Sequence, residues 1–229
     1  MTTTKTDTAG FGAAIATDGF GFVAGCLDSV VLESVRLEFP ATNGLQRDLL
    51  SVPAIRALAQ SPQVRNAVET VLGRGCFAVR GLFFNKTPDA NWNVSWHQDL
   101  TISVGKRLEA SGFTSWSMKA NAVHVQPPAE ILERMIAIRI PLDDNTSQNG
   151  PLRCVPGSHL RGRLSAEDIA QLDKSSAVTC CVRAGDALLM RPLTVHASSQ
   201  CQSLMPRRVI HLEFADVVLP HGLHWRNRV

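Results

Sequence analysis

Two residues near the middle of the chain, His97 and Asp99, have the side chains and the spacing of a metal site. In an extended segment, residues i and i+2 point to the same side, so this imidazole and this carboxylate would converge on one point. Taken alone, His-x-Asp is a weak signal, because such a pair is more often hydrogen-bonded at a surface than bound to a metal. A metal site therefore needs a third ligand from a distant strand.

His196 is the candidate for that third ligand. It follows an apolar run, Ala187–Val195, that is typical of a core strand, where a lone histidine is more often a buried structural residue. Two histidines and one carboxylate, with the other metal positions open, form the facial triad of non-haem Fe(II) oxygenases. The pattern predicts that His97, Asp99 and His196 bind Fe(II) and leave room for a chelating co-substrate and dioxygen.

The chain returns after His196 through Arg207 and Arg208 into a strand-like run, Val209–Phe214. A return strand in a hairpin would bring a guanidinium beside the metal, where its planar fork could pair with the distal carboxylate of a 2-oxo diacid. The alternative is a solvated turn that contains both arginines. Alternation groups Arg208 with the apolar residues of the run and leaves the choice between the two arginines open.

The elements that must position these residues are short β-type runs after an N-terminal helical region. Helices are predicted to begin near Asp28, Ser51 and Ser61. The β-type runs are Phe77–Phe84, Met135–Leu142, Ala177–Arg183, Ala187–Val195 and Arg207–Phe214. A parallel sheet would need helices between these strands, and only Ser165–Asp173 offers one. We therefore expect a mainly β fold with antiparallel pairing and helices packed outside it.

Length and composition restrict the class of protein further. With 229 residues, 45% of them hydrophobic, the chain is long enough for one sizeable core and short for two, so a single domain over residues 1–229 is expected. The Thr-rich residues 1–10 are expected to be disordered, with the fold beginning near Asp18. The six cysteines have no metal-site spacing and are expected to be reduced.

Charge and hydropathy exclude several partners. The longest apolar stretches fall well short of the ~20 residues of a membrane helix, and the N-terminus lacks the apolar segment of a secretory signal. A cytoplasmic protein with no membrane partner is expected. The net charge is +3, with Lys and Arg scattered, which gives no electrostatic footprint for nucleic acid. A small anionic ligand is compatible with this charge.

The stretch Thr101–Pro128 follows the first two ligands and is poor in core pattern. Loops of that length in a compact domain are usually functional or disordered, so an active-site lid is predicted over residues 101–128. Trp116, Lys119, His124 and Gln126 are the candidate substrate contacts. The alternative for Trp116 is that it only anchors the loop.

An ordered series of short motifs resembles the phytanoyl-CoA dioxygenase-like branch of the Fe(II)/2-oxoglutarate oxygenases. The motifs are Phe84-Asn-Lys-Thr-Pro-Asp, Trp96-His-Gln-Asp, Leu142-Asp-Asp, Asn149-Gly-Pro-Leu, Pro156-Gly-Ser-His-x-x-Gly162, Gly185-Asp, His196-x-Ser198 and Arg207. Each motif is unspecific by itself, but the series spans nearly the whole chain in the family's order.

This resemblance implies a double-stranded β-helix, or cupin-like jelly roll, with the metal at the mouth of the barrel and the same three ligands. By family spacing it assigns Arg207, with Ser198 beside it, to the distal carboxylate of 2-oxoglutarate. Gln98 and Arg139 fall at positions that lie near the co-substrate in relatives. The implied cofactors are Fe(II), 2-oxoglutarate and dioxygen, with ascorbate as a candidate addition.

The activity that the resemblance implies is hydroxylation of an unactivated C–H bond in a small-molecule metabolite, with release of succinate and carbon dioxide. Asp99 favours this outcome, because a small residue replaces that carboxylate in related halogenases. The alternatives are desaturation, cyclisation or epimerisation with the same cofactors, or a metal-binding jelly roll that is not an oxygenase. The sequence identifies neither the substrate nor the oligomeric state.

Overall fold

The computed structural model of the protein describes residues 8–40, 44–87, 90–203 and 207–229. Its strands are β1 (Phe20–Val23), β2 (Gly44–Arg47), β3 (Phe77–Lys86), β4 (Val94–His97), β5 (Ile102–Val104), β6 (Thr114–Lys119), β7 (Ala122–Gln126), β8 (Met135–Pro141), β9 (Leu152–Cys154), β10 (Val178–Cys180), β11 (Ala187–Met190), β12 (His196–Ser198) and β13 (Arg207–Ala215). Its α-helices are α1 (Thr8–Asp18), α2 (Ser29–Glu38), α3 (Pro53–Gln60), α4 (Pro62–Leu72), α5 (Ala129–Leu132) and α6 (Ala166–Gln171).

Two antiparallel sheets form the barrel. The larger has the order β1-β11-β8-β13-β3-β2, and the smaller has the order β10-β9-β12-β4. Their inner faces meet in an apolar cluster that joins Phe20, Leu188 and Met190 of the larger sheet to Leu152 and Cys154 of the smaller. The predicted mainly β fold, a jelly roll with flanking helices, is confirmed.

Helices α1 to α4 cover the outer face of the larger sheet. Their first turns agree with the predicted starts: the Asp28 carboxylate accepts from Val31 N–H, and the Ser61 hydroxyl accepts from Val64 N–H. Val64 and Val68 of α4 belong to the same buried cluster as the sheet residues beneath them. This packing fixes the sheet from behind and leaves its inner face free to carry polar groups.

The fold begins earlier than predicted. Helix α1 starts at Thr8, and its Phe11 and Ile15 are buried in the main core. These two residues are one helical turn apart, so both reach the core from one face of the helix. The expectation that the fold starts near Asp18 is therefore wrong. Residues 1–7, which belong to the stretch predicted to be disordered, lie outside the described part of the chain.

Residues 101–128 contain a third, three-stranded antiparallel sheet with the order β5-β7-β6. Ile102, Val104 and Val125 are buried in a cluster that closes one end of the barrel. The segment predicted as a lid is thus largely regular structure, because tertiary burial organises strands that are too short to show in the sequence pattern.

Strand β13 has two faces of opposite character. Ile210, Leu212 and Phe214 point outward into the core beneath the helices, whereas Arg207 and the two polar residues His211 and Glu213 line the interior cavity.

In the described residues, no helix has the length and apolar character needed to cross a bilayer.

Candidate active site

The three predicted metal ligands converge at one end of the smaller sheet. His97 on β4 and His196 on β12 are direct cross-strand neighbours, with ring centroids 4.2 Å apart. Asp99 follows β4, and its carboxylate oxygens lie 3.7 Å from the Nε2 atoms of both histidines. One ligand atom from each residue lies within 4.8 Å of the other two. Two imidazole nitrogens and one carboxylate oxygen are therefore close enough to bind a single metal ion from one side.

Main-chain hydrogen bonds hold both imidazoles in the orientation that a metal requires. His97 Nδ1 lies 2.8 Å from the Ser95 carbonyl, and His196 Nδ1 lies 2.9 Å from the Thr194 carbonyl. A carbonyl only accepts, so each Nδ1 carries a proton, which leaves each Nε2, on the side of Asp99, as the atom that would bind a metal. This donor set fits a divalent iron with open positions on its far side.

The protonation states of Asp99 and His196 also suit metal binding. Burial, followed by the charge on His97, lowers the pKa of His196 to about 4 against the opposing effect of Asp99. Burial raises the pKa of Asp99, but the neighbouring His196 and His97 outweigh it and lower the value to about 2. At neutral pH the carboxylate is ionised and His196 is neutral, which are the protonation states of metal ligands.

A cavity of about 500 Å³ opens beside the triad and contains Arg207. Arg207 is 2% exposed, and its Nη1 donates to the Gly150 carbonyl. Its Nε is buried and has no hydrogen-bond partner among the described residues. Gly150 allows the close approach: it has φ 69°, and a Cβ there would lie 2.3 Å from the Ser199 carbonyl oxygen.

The structure separates the two adjacent arginines. Arg208 points outward, where its Nη2 and Nε donate to the two carboxylate oxygens of Asp143 at 2.8 and 2.9 Å. Arg207 points into the cavity, as the resemblance implies. Alternation had grouped the residues correctly, but it could not say which face of β13 is the inner one, because both faces are buried.

Lys86 is a second buried cation in this region that the sequence had not assigned. Its Nζ donates to Ser198 Oγ at 3.0 Å and to the Ser199 carbonyl at 2.6 Å. Burial, with the charges of Arg207 and Arg139, lowers the pKa of Lys86 to about 7. The available signal was the alternation of β3, which places Lys86 on the same face as Phe84 of the cavity wall.

A chain of four polar side chains crosses the inner face of β8, β13 and β3. Arg139 Nη1 lies 2.9 Å from His211 Nδ1, His211 Nε2 lies 3.1 Å from Glu213 Oε1, and Glu213 pairs with Arg80. A guanidinium only donates, so His211 must be neutral with its proton on Nε2. Burial lowers the pKa of His211 in agreement with this. Neither His211 nor Glu213 was predicted to belong to the site.

Gln98 points away from the metal ligands. Its Nε2 donates to the carbonyls of Gly162 and Leu193, and its Oε1 accepts from Leu164 N–H. Adjacent residues in an extended segment face opposite sides, so Gln98 cannot share the side of His97. Gln98 ties the neighbouring loop to the barrel, which corrects the expectation that it lies near the co-substrate. Arg139 and Ser198 do line the cavity.

The four candidate substrate contacts separate into two pairs. Lys119 and His124 line a second pocket that adjoins the cavity. Trp116 packs against the apolar cluster at the barrel end, with the Arg107 guanidinium 5.7 Å from its ring centroid, which favours the anchoring alternative. Gln126 pairs with Thr114 in the three-stranded sheet. Trp116 and Gln126 are not among the residues that line either space.

The family model of phytanoyl-CoA dioxygenase matches residues 38–209, most of the chain. The chain belongs to the phytanoyl-CoA dioxygenase family. The metal triad, Lys86, Arg139, Ser198 and Arg207 lie within the matched range, and His211 and Glu213 lie just beyond its end. No curated protein sequence matches this family member.

Solved structures with a similar fold support the architecture. The epimerase SnoN, in complex with Fe3+, alpha ketoglutarate and nogalamycin RO, is 18% identical with a TM-score of 0.68, covering 94% of this chain and 91% of that one. AviO1 from Streptomyces viridochromogenes Tue57 is 21% identical with a TM-score of 0.68, covering 96% and 99%. The non-heme alpha ketoglutarate dependent carbocyclase SnoK is 16% identical with a TM-score of 0.68, covering 93% and 87%. At these identities the likeness concerns the fold.

Proposed function

We propose that this family member is a 2-oxoglutarate-dependent non-haem iron dioxygenase that hydroxylates a small molecule. The observation that carries the proposal is the presence, in one cavity, of the His97–Asp99–His196 triad and a buried arginine with an unpartnered N–H. When bound, Fe(II) with 2-oxoglutarate and dioxygen would supply the oxidising power for an unactivated C–H bond, with release of succinate and carbon dioxide.

The protein's own residues would hold and orient these groups. His97, Asp99 and His196 would bind the metal from one side and leave its other positions open to the cavity. Arg207 would bind the distal carboxylate of 2-oxoglutarate through its free Nε–H, because a buried guanidinium without a carboxylate partner is stabilised by an anion. A metal-binding jelly roll without this co-substrate would have no use for such an arginine.

Lys86 and Ser198 would complete the carboxylate site. An ammonium group has three donors, and two of those on Lys86 are already directed to Ser198 Oγ and the Ser199 carbonyl. Among the described residues the third N–H meets no acceptor, and the Trp92 ring of the cavity wall lies 5.5 Å from Nζ, so this donor is available to a ligand. Because Ser198 Oγ accepts from Lys86, its own proton is free to be donated to the same carboxylate. The co-substrate carboxylate would therefore meet two cations and one hydroxyl.

Hydroxylation is the proposed outcome because Asp99 occupies the position of the third ligand and leaves no vacancy for a halide. SnoN and SnoK, which share the fold, are named as an epimerase and a carbocyclase. Epimerisation or ring closure is therefore the second candidate. A product heavier than its substrate by one oxygen atom would distinguish hydroxylation from both.

The direct test is binding and turnover of 2-oxoglutarate by protein loaded anaerobically with Fe(II) and then exposed to air. Calorimetry should show binding by the wild type, no metal-dependent binding by His97→Ala and strongly weakened binding by Arg207→Leu. Arg183→Leu, at an exposed position away from the cavity, is the matched control and should bind normally. Succinate formation should follow the same order. A wild type that shows neither binding nor succinate contradicts the proposal.

A further inference from the structure

A second pocket, of about 320 Å³, adjoins the cavity of the triad. Arg80 and Leu82 of β3 line both spaces, so the two share a wall. The side chains that give the second pocket its charge, called the basic pocket below, are Arg47, Arg80, Lys119, His124 and Arg226, with Asp48 as its carboxylate. They come from β2, β3, β6, β7 and the C-terminal segment. The fold thus brings basic residues from distant parts of the chain to one place beside the metal ligands.

The basic pocket has more cations than carboxylates. Arg226 pairs with Asp48 at 3.2 Å, and Arg80 pairs with Glu213 on the cavity side. Among the described residues, no carboxylate lies within 4.0 Å of Arg47 or Lys119, and the buried Nε of Arg80 has no hydrogen-bond partner. Two positive charges and one N–H are therefore left without an internal partner.

The cations of the basic pocket differ in exposure: the Arg47 and Lys119 side chains are exposed, whereas the Arg80 side chain is 13% exposed. Arg47 is the cross-strand neighbour of Leu82 and so lies on the inner side of the sheet. His124 is 3% exposed. Burial and then the charge of Arg80 lower the pKa of Arg47, and burial with the charges of Arg80, Lys119 and Arg47 lowers the pKa of His124. With its pKa lowered, His124 is neutral at neutral pH, so the positive groups are Arg47, Arg80 and Lys119. These groups repel one another, and a bound anion would relieve that repulsion.

We propose that the basic pocket binds a doubly charged oxyanion of the substrate, such as a phosphate monoester, while the C–H bond to be oxidised lies at the triad. Two cations without a carboxylate partner match two negative charges, and Arg80 and Leu82, which border both spaces, mark where one small molecule would pass between them. This inference rests on the proposed function, because only an oxidation at the triad makes the anion part of a substrate. The co-substrate has its own cation in the first cavity, Arg207, with Lys86 as its cross-strand neighbour.

The test uses protein loaded anaerobically with Fe(II). 2-Oxoglutarate is titrated first, and methyl phosphate is then titrated into the saturated complex, so that the carboxylate site of the first cavity is already filled. The test variant is Arg47→Gln/Lys119→Met. The matched control is Arg183→Gln/Lys106→Met, which removes the same two charges at exposed positions outside the basic pocket. Acetate replaces methyl phosphate in a parallel titration, and thermal unfolding of each variant reports on the fold.

We expect the wild type to bind methyl phosphate more tightly than acetate, and the test variant to lose about tenfold or more in affinity while the control keeps it. No binding of methyl phosphate, equal losses in test and control variants, or acetate bound as tightly as methyl phosphate would each overturn the inference. If 2-oxoglutarate binds and methyl phosphate does not, only this inference fails. If methyl phosphate binds and 2-oxoglutarate does not, the proposed function fails and the anion is not part of an oxygenase substrate.

Discussion

Lys86 and Arg207 face each other across the β3–β13 ladder, as directly paired residues of neighbouring strands, and both are almost fully buried. Like charges in this position destabilise a sheet unless an anion lies between or beside them. The pairing therefore favours the binding of a negatively charged ligand at this place in the barrel. It is also the part of the site whose charge changes near neutral pH.

The affinity for 2-oxoglutarate should fall as pH rises through about 7, the pKa of Lys86 in the free protein. Lys86 is charged below this pH and binds the dianion directly, whereas above it a proton must first be taken up. Calorimetry at pH 8 in two buffers of different ionisation enthalpy should detect that uptake in the wild type. Lys86→Met should bind more weakly and without uptake. Equal uptake by both proteins would show that another group titrates.

The Glu213→Gln substitution should destabilise the metal-free protein by roughly 3–5 kcal/mol, because it leaves Arg80 buried without its carboxylate. The side chains of this pair are 13% and 6% exposed. Urea unfolding measures the change. The control is Glu69→Gln, which removes the carboxylate of the more exposed Arg65–Glu69 pair on α4, and there the loss should be about 0–1 kcal/mol. Similar losses at the two sites would contradict the argument.

The stability contributed by His211 should decline in mildly acidic solution. Its pKa is lowered in the folded protein, so below about pH 6.5, the unfolded value, the unfolded chain binds more protons and gains stability relative to the fold. The contribution is complete above pH 6.5 and is lost progressively as pH falls towards the folded pKa. His211→Gln can still accept from Arg139 and donate to Glu213 but cannot titrate, so its unfolding free energy should fall less steeply between pH 6.5 and 5.

Two glycines with positive φ offer a matched test of close packing at the carboxylate site. A Cβ at Gly150 would lie 2.3 Å from the Ser199 carbonyl oxygen, whereas a Cβ at Gly222 would meet nothing within 4 Å. Gly222→Ala should cost only the strain of the left-handed backbone, about 1–2 kcal/mol. Gly150→Ala should destabilise the protein by more than this. It should also weaken 2-oxoglutarate binding, because it shifts the Gly150 carbonyl that accepts a hydrogen bond from Arg207. Equal effects of the two substitutions would refute this account.

The sequence contained enough information for the triad, because its two nearest members obey a local rule: residues two apart on an extended segment share a side. The same rule applied to Gln98 would have placed it on the opposite side. Alternation along β13 separated Arg207 from Arg208 without saying which of them faced inward. Which arginine faces inward depends on which face of β13 the helices cover, and the sequence of the strand itself does not determine that.

Other parts of the site could not be read locally. The chain of Arg139, His211, Glu213 and Arg80 is assembled from three strands that are far apart in sequence. The three-stranded sheet in residues 101–128 depends on burial against the barrel end. Helix α1 was missed because its composition suggested disorder, although Phe11 and Ile15 were already spaced by one helical turn.

The imidazoles of His97 and His196 each donate to the main-chain carbonyl of the residue two positions earlier. In the described part of the chain no side chain hydrogen-bonds to either Nδ1, so a substitution elsewhere in the cavity wall leaves both hydrogen bonds in place. Mutation could therefore reshape the walls and change the ligand that fits them while the metal ligands keep their orientation. A scaffold of this kind can diversify in specificity without first repairing its metal centre.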